Sequence, residues 1–232
     1  MSESRKYPTI AEAREEILEI GRRMYHKGFV AANDGNISCL IGPDRLLTTP
    51  TGVSKGFMTA ADLVETDLSG RVITGGRPST ELPAHLRVYQ ENPEAGAVVH
   101  AHSPAATAFA CAGMALDQPV LAEAVVQLGQ VPLAPFALPG TPEVPDSIAP
   151  FCRDYGAVLL ANHGPLTWGS GLMEAWFRME TVEYYASLLI MTGTLPVPAK
   201  PLPDEAVEGL LQSRARLGLK IKGRPGSGEK DR

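Results

Sequence analysis

Two histidines follow one short apolar segment, and this feature constrains the fold more than any other. Residues 97–102 read Ala-Val-Val-His-Ala-His, a composition typical of a buried strand. Alternate side chains of a strand share a face, so His100 and His102, spaced i and i+2, are expected on the same face. A second apolar segment, residues 157–161, leads into Asn162-His163-Gly164. Three of the five histidines therefore stand where two predicted buried strands end.

Three imidazoles from two adjacent strand ends form a donor set that suits a catalytic Zn²⁺ with one open coordination position. Such an ion keeps its positive charge and can stabilise an oxygen anion in carbon-acid chemistry. This chemistry also needs a group that takes up and returns a proton, and Glu81, at the start of a predicted helix, is the candidate. An acid in the first helical turn also complements the helix dipole, so both interpretations of Glu81 stay open.

Length, charge and cysteine content exclude several classes of protein. A chain of 232 residues is long enough for one large α/β domain. The net charge of −5 and the pI near 5.6 give no basic surface for nucleic acid. No apolar stretch reaches the ~18 residues of a membrane span, and the N-terminus lacks a signal-peptide pattern. Three scattered cysteines, Cys39, Cys111 and Cys152, favour a cytoplasmic protein over a disulfide framework.

Local patterns predict alternating helices and strands. Thr9 and Glu12 form a capping box for a first helix, and Thr59 with Asp62 predicts a second, brief one. Further helices are expected from Ser79 or Thr80 as cap, and over residues 103–113, 172–192 and 204–217. Strands are expected around residues 36–38, 45–49, 63–66, 71–74, 97–100, 157–161 and 166–168, whereas the prolines of 132–142 indicate loops or sheet edges. The predicted organisation is a flexible N-terminus (1–8), one catalytic domain (9–193), and a Pro-rich tether, short helix and disordered tail (194–232).

Three turns combine backbone N–H donors with hydroxyl or amide side chains. They are Gly35-Asn36, Thr51-Gly52 and Ser79-Thr80. Such turns can bind a phosphate, although turns use the same residues for conformational reasons. Lys55 could add positive charge to such a site, but it is interpreted as an exposed loop lysine. His85, one helical turn after Glu81, is interpreted as a packing residue or a partner of that carboxylate.

Five motifs together resemble the class II aldolase/adducin family, most of all its fuculose-phosphate aldolases. They are Gly35-Asn36-Ile37-Ser38, Thr49-Pro50-Thr51-Gly52, Ser79-Thr80-Glu81, Val98-Val99-His100-Ala101-His102 and Asn162-His163-Gly164, within residues 10–193. The resemblance implies an α/β fold with three α/β/α layers around a central, largely antiparallel sheet. It also implies a homotetramer with active sites between subunits.

The same resemblance implies the site residues and the reaction. His100, His102 and His163 would hold Zn²⁺, with Mn²⁺ or Co²⁺ as alternatives, and Glu81 would be the acid/base. The implied phosphate pocket comprises Asn33, Asn36, Thr51, Gly52, Ser79 and Thr80. The implied substrate is a 1-phosphorylated 2-ketose, either fuculose-1-phosphate-like or a 5-deoxy- or 5-methylthio-pentulose 1-phosphate. It would be cleaved through an enediolate to dihydroxyacetone phosphate and an aldehyde.

One departure from the family pattern concerns the aldehyde side of the site. Those aldolases use a C-terminal tyrosine there, whereas this sequence has no aromatic residue after Tyr185. Glu123 is a candidate replacement across a subunit interface, or else a solvent-facing acid. Sugar-acid-phosphate decarboxylases and ribulose-phosphate 4-epimerases share the metal and enolate chemistry and remain alternatives. A non-enzymatic, adducin-like module would be expected to lack the three metal histidines.

Overall fold

The computed structural model describes residues 7–219, 221 and 223–226. Among them, eight strands form one sheet in the order β4-β3-β2-β1-β5-β8-β7-β6. The strands are β1 (Asn36–Gly42), β2 (Arg45–Thr48), β3 (Val64–Thr66), β4 (Val72–Thr74), β5 (Ala97–His100), β6 (Leu133–Ala134), β7 (Ala157–Leu160) and β8 (Gly164–Gly169). Every neighbouring pair is antiparallel except β6 with β7, so the predicted, largely antiparallel sheet is confirmed.

Seven α-helices of the described part of the chain flank this sheet. They are α1 (Ile10–His26), α2 (Leu82–Glu91), α3 (Pro104–Cys111), α4 (Ala122–Gln127), α5 (Glu143–Ile148), α6 (Leu172–Gly193) and α7 (Asp204–Arg216). The predicted capping box opens α1, because Thr9 and Glu12 exchange hydrogen bonds between side chain and backbone. No helix in the described part of the chain is both long and apolar enough to cross a membrane.

The two faces of β5 pack into different cores, which explains the three layers. Val99 belongs to a cluster with Trp176 of α6 and the buried side of α1. Val98 belongs to a cluster on the other face with Leu86 of α2. Successive strand residues alternate between faces, so His100 follows Val98 toward the α2 side. The sheet therefore brings the end of β5 toward the start of α2.

Two local predictions are wrong. Thr59 and Asp62 close a hydrogen-bonded turn but no helix, because the chain enters β3 and pairs with β2 two residues later. Helix α2 has Glu81 at its N-cap rather than Ser79 or Thr80. The Ser79 hydroxyl accepts a hydrogen bond from the Glu81 N–H instead. The proline-rich segment 132–142 agrees with its prediction, because it consists of the edge strand β6 and of loops and turns that lead to α5.

The predicted C-terminal helix is present as α7, which packs against α4. Arg214 of α7 is buried, and its guanidinium donates to the carbonyls of Val126, Ile221 and Gly223. These described residues of the C-terminal segment therefore contact the body of the domain. Residues 1–6 of the predicted flexible N-terminus, and residues 220, 222 and 227–232 of the predicted tail, lie outside the described residues.

Candidate metal centre and active site

His100 and His102 lie at the end of β5, a central strand of the sheet. His100 is buried, and its Nδ1 donates to the Pro165 carbonyl over 2.9 Å. The Nδ1 of His102 lies 3.3 Å from Oδ2 of Asp34. With Nδ1 engaged in each ring, the two Nε2 atoms face each other at 3.2 Å.

His163 reaches the same point from the turn between β7 and β8. Asn162 adopts a left-handed backbone conformation there, with a φ of 57°. Gly164 follows with φ 157°, and a Cβ at this position would lie 2.5 Å from the Ala101 carbonyl oxygen. The close approach requires glycine and brings the turn against the end of β5. The sequence Asn-His-Gly thus places the third imidazole beside the first two.

Glu81 completes the cluster from the N-cap of α2. Its Oε1 lies 2.9 Å from His163 Nε2, and its Oε2 lies 3.6 Å from His100 Nε2. The Asn36 side-chain amide donates a hydrogen bond to Oε2. Ligand atoms of Glu81 and the three histidines all fall within 4.8 Å of one another. The predicted metal ligands and the predicted acid/base therefore meet at one place.

The hydrogen bonds of this cluster fit a bound cation. A carbonyl oxygen only accepts, so His100 Nδ1 carries the ring proton and its Nε2 presents a lone pair. Asp34 favours the same tautomer for His102. Two lone pairs 3.2 Å apart repel each other unless a cation lies between them. Two imidazoles on a tetrahedral Zn²⁺ have ligand atoms about 3.4 Å apart, given the usual bond length.

The protonation states of His100 and Glu81 also suit a metal. Burial lowers the pKa of His100 to about 3, against the opposing effect of Glu81, so this imidazole is neutral at pH 7. Burial alone would raise the pKa of Glu81, but His100, His163 and Asn36 outweigh it and hold the pKa below its usual range. Neutral imidazoles with an ionised carboxylate are the forms that bind a divalent ion.

The turns predicted to bind phosphate lie next to one another. The Thr51 N–H donates to the Arg77 carbonyl, and the Ser79 N–H donates to the Thr49 carbonyl. Thr51 and Ser79 are half-buried, whereas Asn33, Gly52 and Thr80 are exposed. Asn36 differs from this group, because it is buried on β1 and hydrogen-bonds Glu81. Asn36 thus orients the carboxylate here, and the other five residues remain the predicted phosphate pocket.

Of two further polar residues near the site, Lys55 was misjudged from the sequence, whereas His85 is buried, in agreement with its interpretation as a packing residue. Lys55 is buried rather than exposed, and its ammonium donates to two backbone carbonyls. His85 is buried too, with its Nδ1 2.7 Å from the Ser38 hydroxyl, which in turn lies 2.7 Å from the Tyr89 hydroxyl. Burial lowers the pKa of His85 to about 4. The sequence gave no sign of the contact between Ser38 and Tyr89, because these residues meet only when α2 packs on the sheet that contains β1.

Glu123 is exposed on α4. This helix packs against α6 and α7. Glu123 does not belong to the described group of clustered metal-binding side chains, which comprises Glu81 and the three histidines. A role for Glu123 at an active site of a second subunit stays a prediction.

Comparisons with known proteins agree with this geometry. A family model described as the Class II Aldolase and Adducin N-terminal domain matches residues 15–190. The 3-oxo-tetronate 4-phosphate decarboxylase of Pectobacterium atrosepticum is 37% identical over 78% of this chain and 85% of that protein. The 5-deoxy-D-ribulose 1-phosphate aldolase of Bacillus thuringiensis is 33% identical, covering 87% and 94%. The solved structure of YgbL from Klebsiella pneumoniae has a TM-score of 0.82 at 35% identity, covering 88% of this chain and 99% of that one.

Proposed function

Because this chain belongs to the class II aldolase and adducin family, we propose that it is a metal-dependent lyase that decarboxylates a phosphorylated 3-oxo sugar acid. The observation that carries the proposal is one carboxylate, Glu81, held among three imidazoles beside turns suited to phosphate. The similarity to a 3-oxo-tetronate 4-phosphate decarboxylase supports this substrate class. Decarboxylation now ranks above ketose-phosphate cleavage, whereas the sequence motifs alone favoured ketose-phosphate cleavage.

The proposed reaction breaks one carbon–carbon bond and makes one carbon–hydrogen bond. In a 3-oxo-tetronate 4-phosphate, carbon 1 is the carboxylate and carbon 3 the ketone, so the bonding electrons can pass into the ketone. A divalent metal at His100, His102 and His163 would supply Lewis-acid polarisation of that carbonyl. Carbon 1 leaves as CO₂. A proton from solvent then passes by way of the ionised Glu81 carboxylate to carbon 2, and the product is dihydroxyacetone phosphate.

The number of proton carriers favours decarboxylation over retro-aldol cleavage. Retro-aldol cleavage must remove a proton from the substrate hydroxyl and also protonate the carbanion, whereas decarboxylation requires only the second transfer. Glu81 is the carboxylate in the described metal-binding cluster. No aromatic residue follows Tyr185 in the sequence, so the C-terminal tyrosine of the resembling aldolases has no counterpart there. A single proton carrier is sufficient for the proposed reaction.

Cleavage of a 1-phosphoketose is the second candidate, favoured by the similarity to a 5-deoxy-D-ribulose 1-phosphate aldolase. One assay separates the two: CO₂ and dihydroxyacetone phosphate are measured with a 3-oxo-tetronate 4-phosphate and with fuculose, 5-deoxyribulose and 5-methylthioribulose 1-phosphates, with and without chelator. We expect chelator-sensitive, equimolar CO₂ and dihydroxyacetone phosphate from the first substrate. If dihydroxyacetone phosphate forms only from one of the ketose phosphates, the protein is an aldolase and the decarboxylase proposal is wrong. If the metal-loaded protein turns over none of these substrates, both candidate reactions are contradicted, and epimerase activity is assayed next.

We also propose Zn²⁺ as the metal, a homotetramer as the assembly and the cytoplasm as the location. The three-imidazole donor set supports zinc, and the free state of all three cysteines is consistent with a reducing compartment. Phe177, Tyr184 and Met191 form an exposed apolar stripe at seven-residue spacing on α6, which suits contact with another subunit. Light scattering should give four times the chain mass. Elemental analysis should give one zinc per chain.

A further inference from the structure

The buried ammonium of Lys55 is a charged group to which the proposed reaction gives no role. Lys55 is only 1% exposed. Its Nζ donates to the Asn33 carbonyl over 2.9 Å and to the Val53 carbonyl over 2.6 Å. An ammonium has three N–H donors, so these two bonds leave one. Both carbonyls belong to segments that carry predicted phosphate-binding residues, namely Asn33 itself and the neighbouring Thr51-Gly52 turn.

The backbone that carries Lys55 is held tightly against α1. A Cβ at Gly21 of α1 would lie 2.6 Å from the Lys55 carbonyl oxygen, and a Cβ at Gly56 would lie 2.5 Å from the Tyr25 ring. Real Cβ atoms do not come this close, so the two glycines permit the approach. Lys55 therefore projects from a fixed segment rather than from a mobile loop.

The electrostatic surroundings of the ammonium place it on the active-site side. Asp34 and Glu81 are the two carboxylates that favour its charged form. Asp34 contacts His102, and Glu81 contacts His163. Burial nevertheless dominates and lowers the pKa of Lys55 to about 8. The ammonium is thus mainly protonated at pH 7, in a position where burial makes a charge costly unless other groups compensate it.

We propose that Lys55 is a specificity-determining residue, the cation that makes this site select a phosphorylated substrate over the same substrate without phosphate. The proposal deepens the proposed function, since it rests on the phosphate pocket assigned there. The turns at 51–52 and 79–80 offer neutral hydroxyl and N–H donors, which do not balance the charge of a phosphate. Lys55 supplies positive charge close to these donors. Its hydrogen bonds to the Asn33 and Val53 carbonyls also fix the relative positions of two segments of the pocket.

Two variants separate the charge of Lys55 from its structural role. Lys55→Gln removes the charge but keeps an NH₂ group, one bond closer to the backbone, that can still donate to a neighbouring carbonyl, whereas Lys55→Met removes charge and donors together. Lys200→Gln, at an exposed position on the tether, is the matched control. Binding is measured by calorimetry with methyl phosphate, a phosphate monoester that does not depend on turnover. KM and kcat are measured with the substrate identified above, and metal content by elemental analysis.

We expect Lys55→Gln to weaken methyl phosphate binding, and to raise KM for the phosphorylated substrate, by 10- to 100-fold. Its kcat should stay within about threefold and its metal content should be unchanged. The Lys200→Gln control should match the wild type. If Lys55→Gln binds methyl phosphate within twofold of the wild type while Lys55→Met does not, Lys55 only stabilises the local structure through its hydrogen bonds, and the proposal is wrong. Because methyl phosphate binding needs no turnover, this result is distinct from a failure of the decarboxylase assignment.

Discussion

Replacement of Glu81 by glutamine tests the proton transfer separately from the construction of the site. Glutamine has the same length, and its side-chain oxygen can accept the hydrogen bond that Asn36 donates to Glu81. In the metal-free protein, the Gln amide can donate to the lone pair of His163 Nε2, which lies 2.9 Å from Glu81 Oε1. We therefore expect the free energy of unfolding to change by less than about 1 kcal/mol, one ordinary hydrogen bond. The three histidines should retain the metal.

The expected effect on catalysis is much larger. A positioned general acid contributes roughly 10²- to 10⁴-fold to a rate, which corresponds to about 2.7–5.4 kcal/mol in the activation barrier. Glu81→Gln should lower kcat by this factor in metal-saturated enzyme, measured as initial rates of CO₂ and dihydroxyacetone phosphate formation. Because bond cleavage precedes protonation, an added oxidant should still trap carbanion in the variant. Glu81→Asp, which keeps a carboxylate, should lose less.

Two results would refute this reasoning in different ways. Turnover of metal-loaded Glu81→Gln within tenfold of the wild type would remove Glu81 from proton transfer. A loss of turnover that excess metal restores would instead assign Glu81 as a metal ligand, a role its position within 4.8 Å of the histidine nitrogens also allows. Measurement of metal content alongside every rate distinguishes these outcomes.

Three further perturbations follow from the structure. His163→Ala should weaken metal affinity by more than about 100-fold in a chelator competition, because loss of a residue that only hydrogen-bonds a metal ligand already costs 10- to 100-fold. Unchanged affinity would exclude His163 as a ligand. Gly35→Ala should destabilise the fold by about 2 kcal/mol or more in urea unfolding, because φ is +73° and the new Cβ would lie 2.6 Å from Val30; Gly113→Ala, with a similar φ of +70° but open space around the new Cβ, is the control for the clash and should cost less. With a thiol reagent at pH 8, the exposed Cys111 should react at once, whereas Cys152, whose pKa burial raises to about 12, should react only after unfolding.

The sheet and the metal cluster could be predicted because their signals are local. The apolar run before His100 and the turn residues around His163 each fix a strand end within a few positions. Residues spaced two apart on a strand share a face in any sheet, so no tertiary information was needed to pair His100 with His102. What the local pattern alone did not give is the adjacency of β5 and β8, which came from the family resemblance.

The burial of Lys55 could not be predicted because its cause is distant in sequence. Lysine in a Gly- and Ser-containing turn is normally exposed. Here Gly21, more than thirty residues earlier, lets α1 approach the Lys55 backbone, and two carbonyls receive the ammonium. Helix α5 escaped prediction for a similar reason. Its prolines argue against a helix locally, yet Pro145 and Ile148 are buried, and Ile148 packs in the core beneath α2.

The choice between the two candidate reactions depends on one end of the site. Retro-aldol cleavage of a 1-phosphoketose and decarboxylation of a 3-oxo-tetronate 4-phosphate leave the same carbanion of dihydroxyacetone phosphate, so the proposed roles of the histidines, Glu81 and the phosphate turns would be the same in both. The leaving groups differ. The small cavity beside Glu81 is lined largely by apolar groups, among them Pro83, Pro139, Leu160 and Leu166. Apolar surroundings destabilise a carboxylate more than neutral CO₂. The lining therefore favours loss of CO₂.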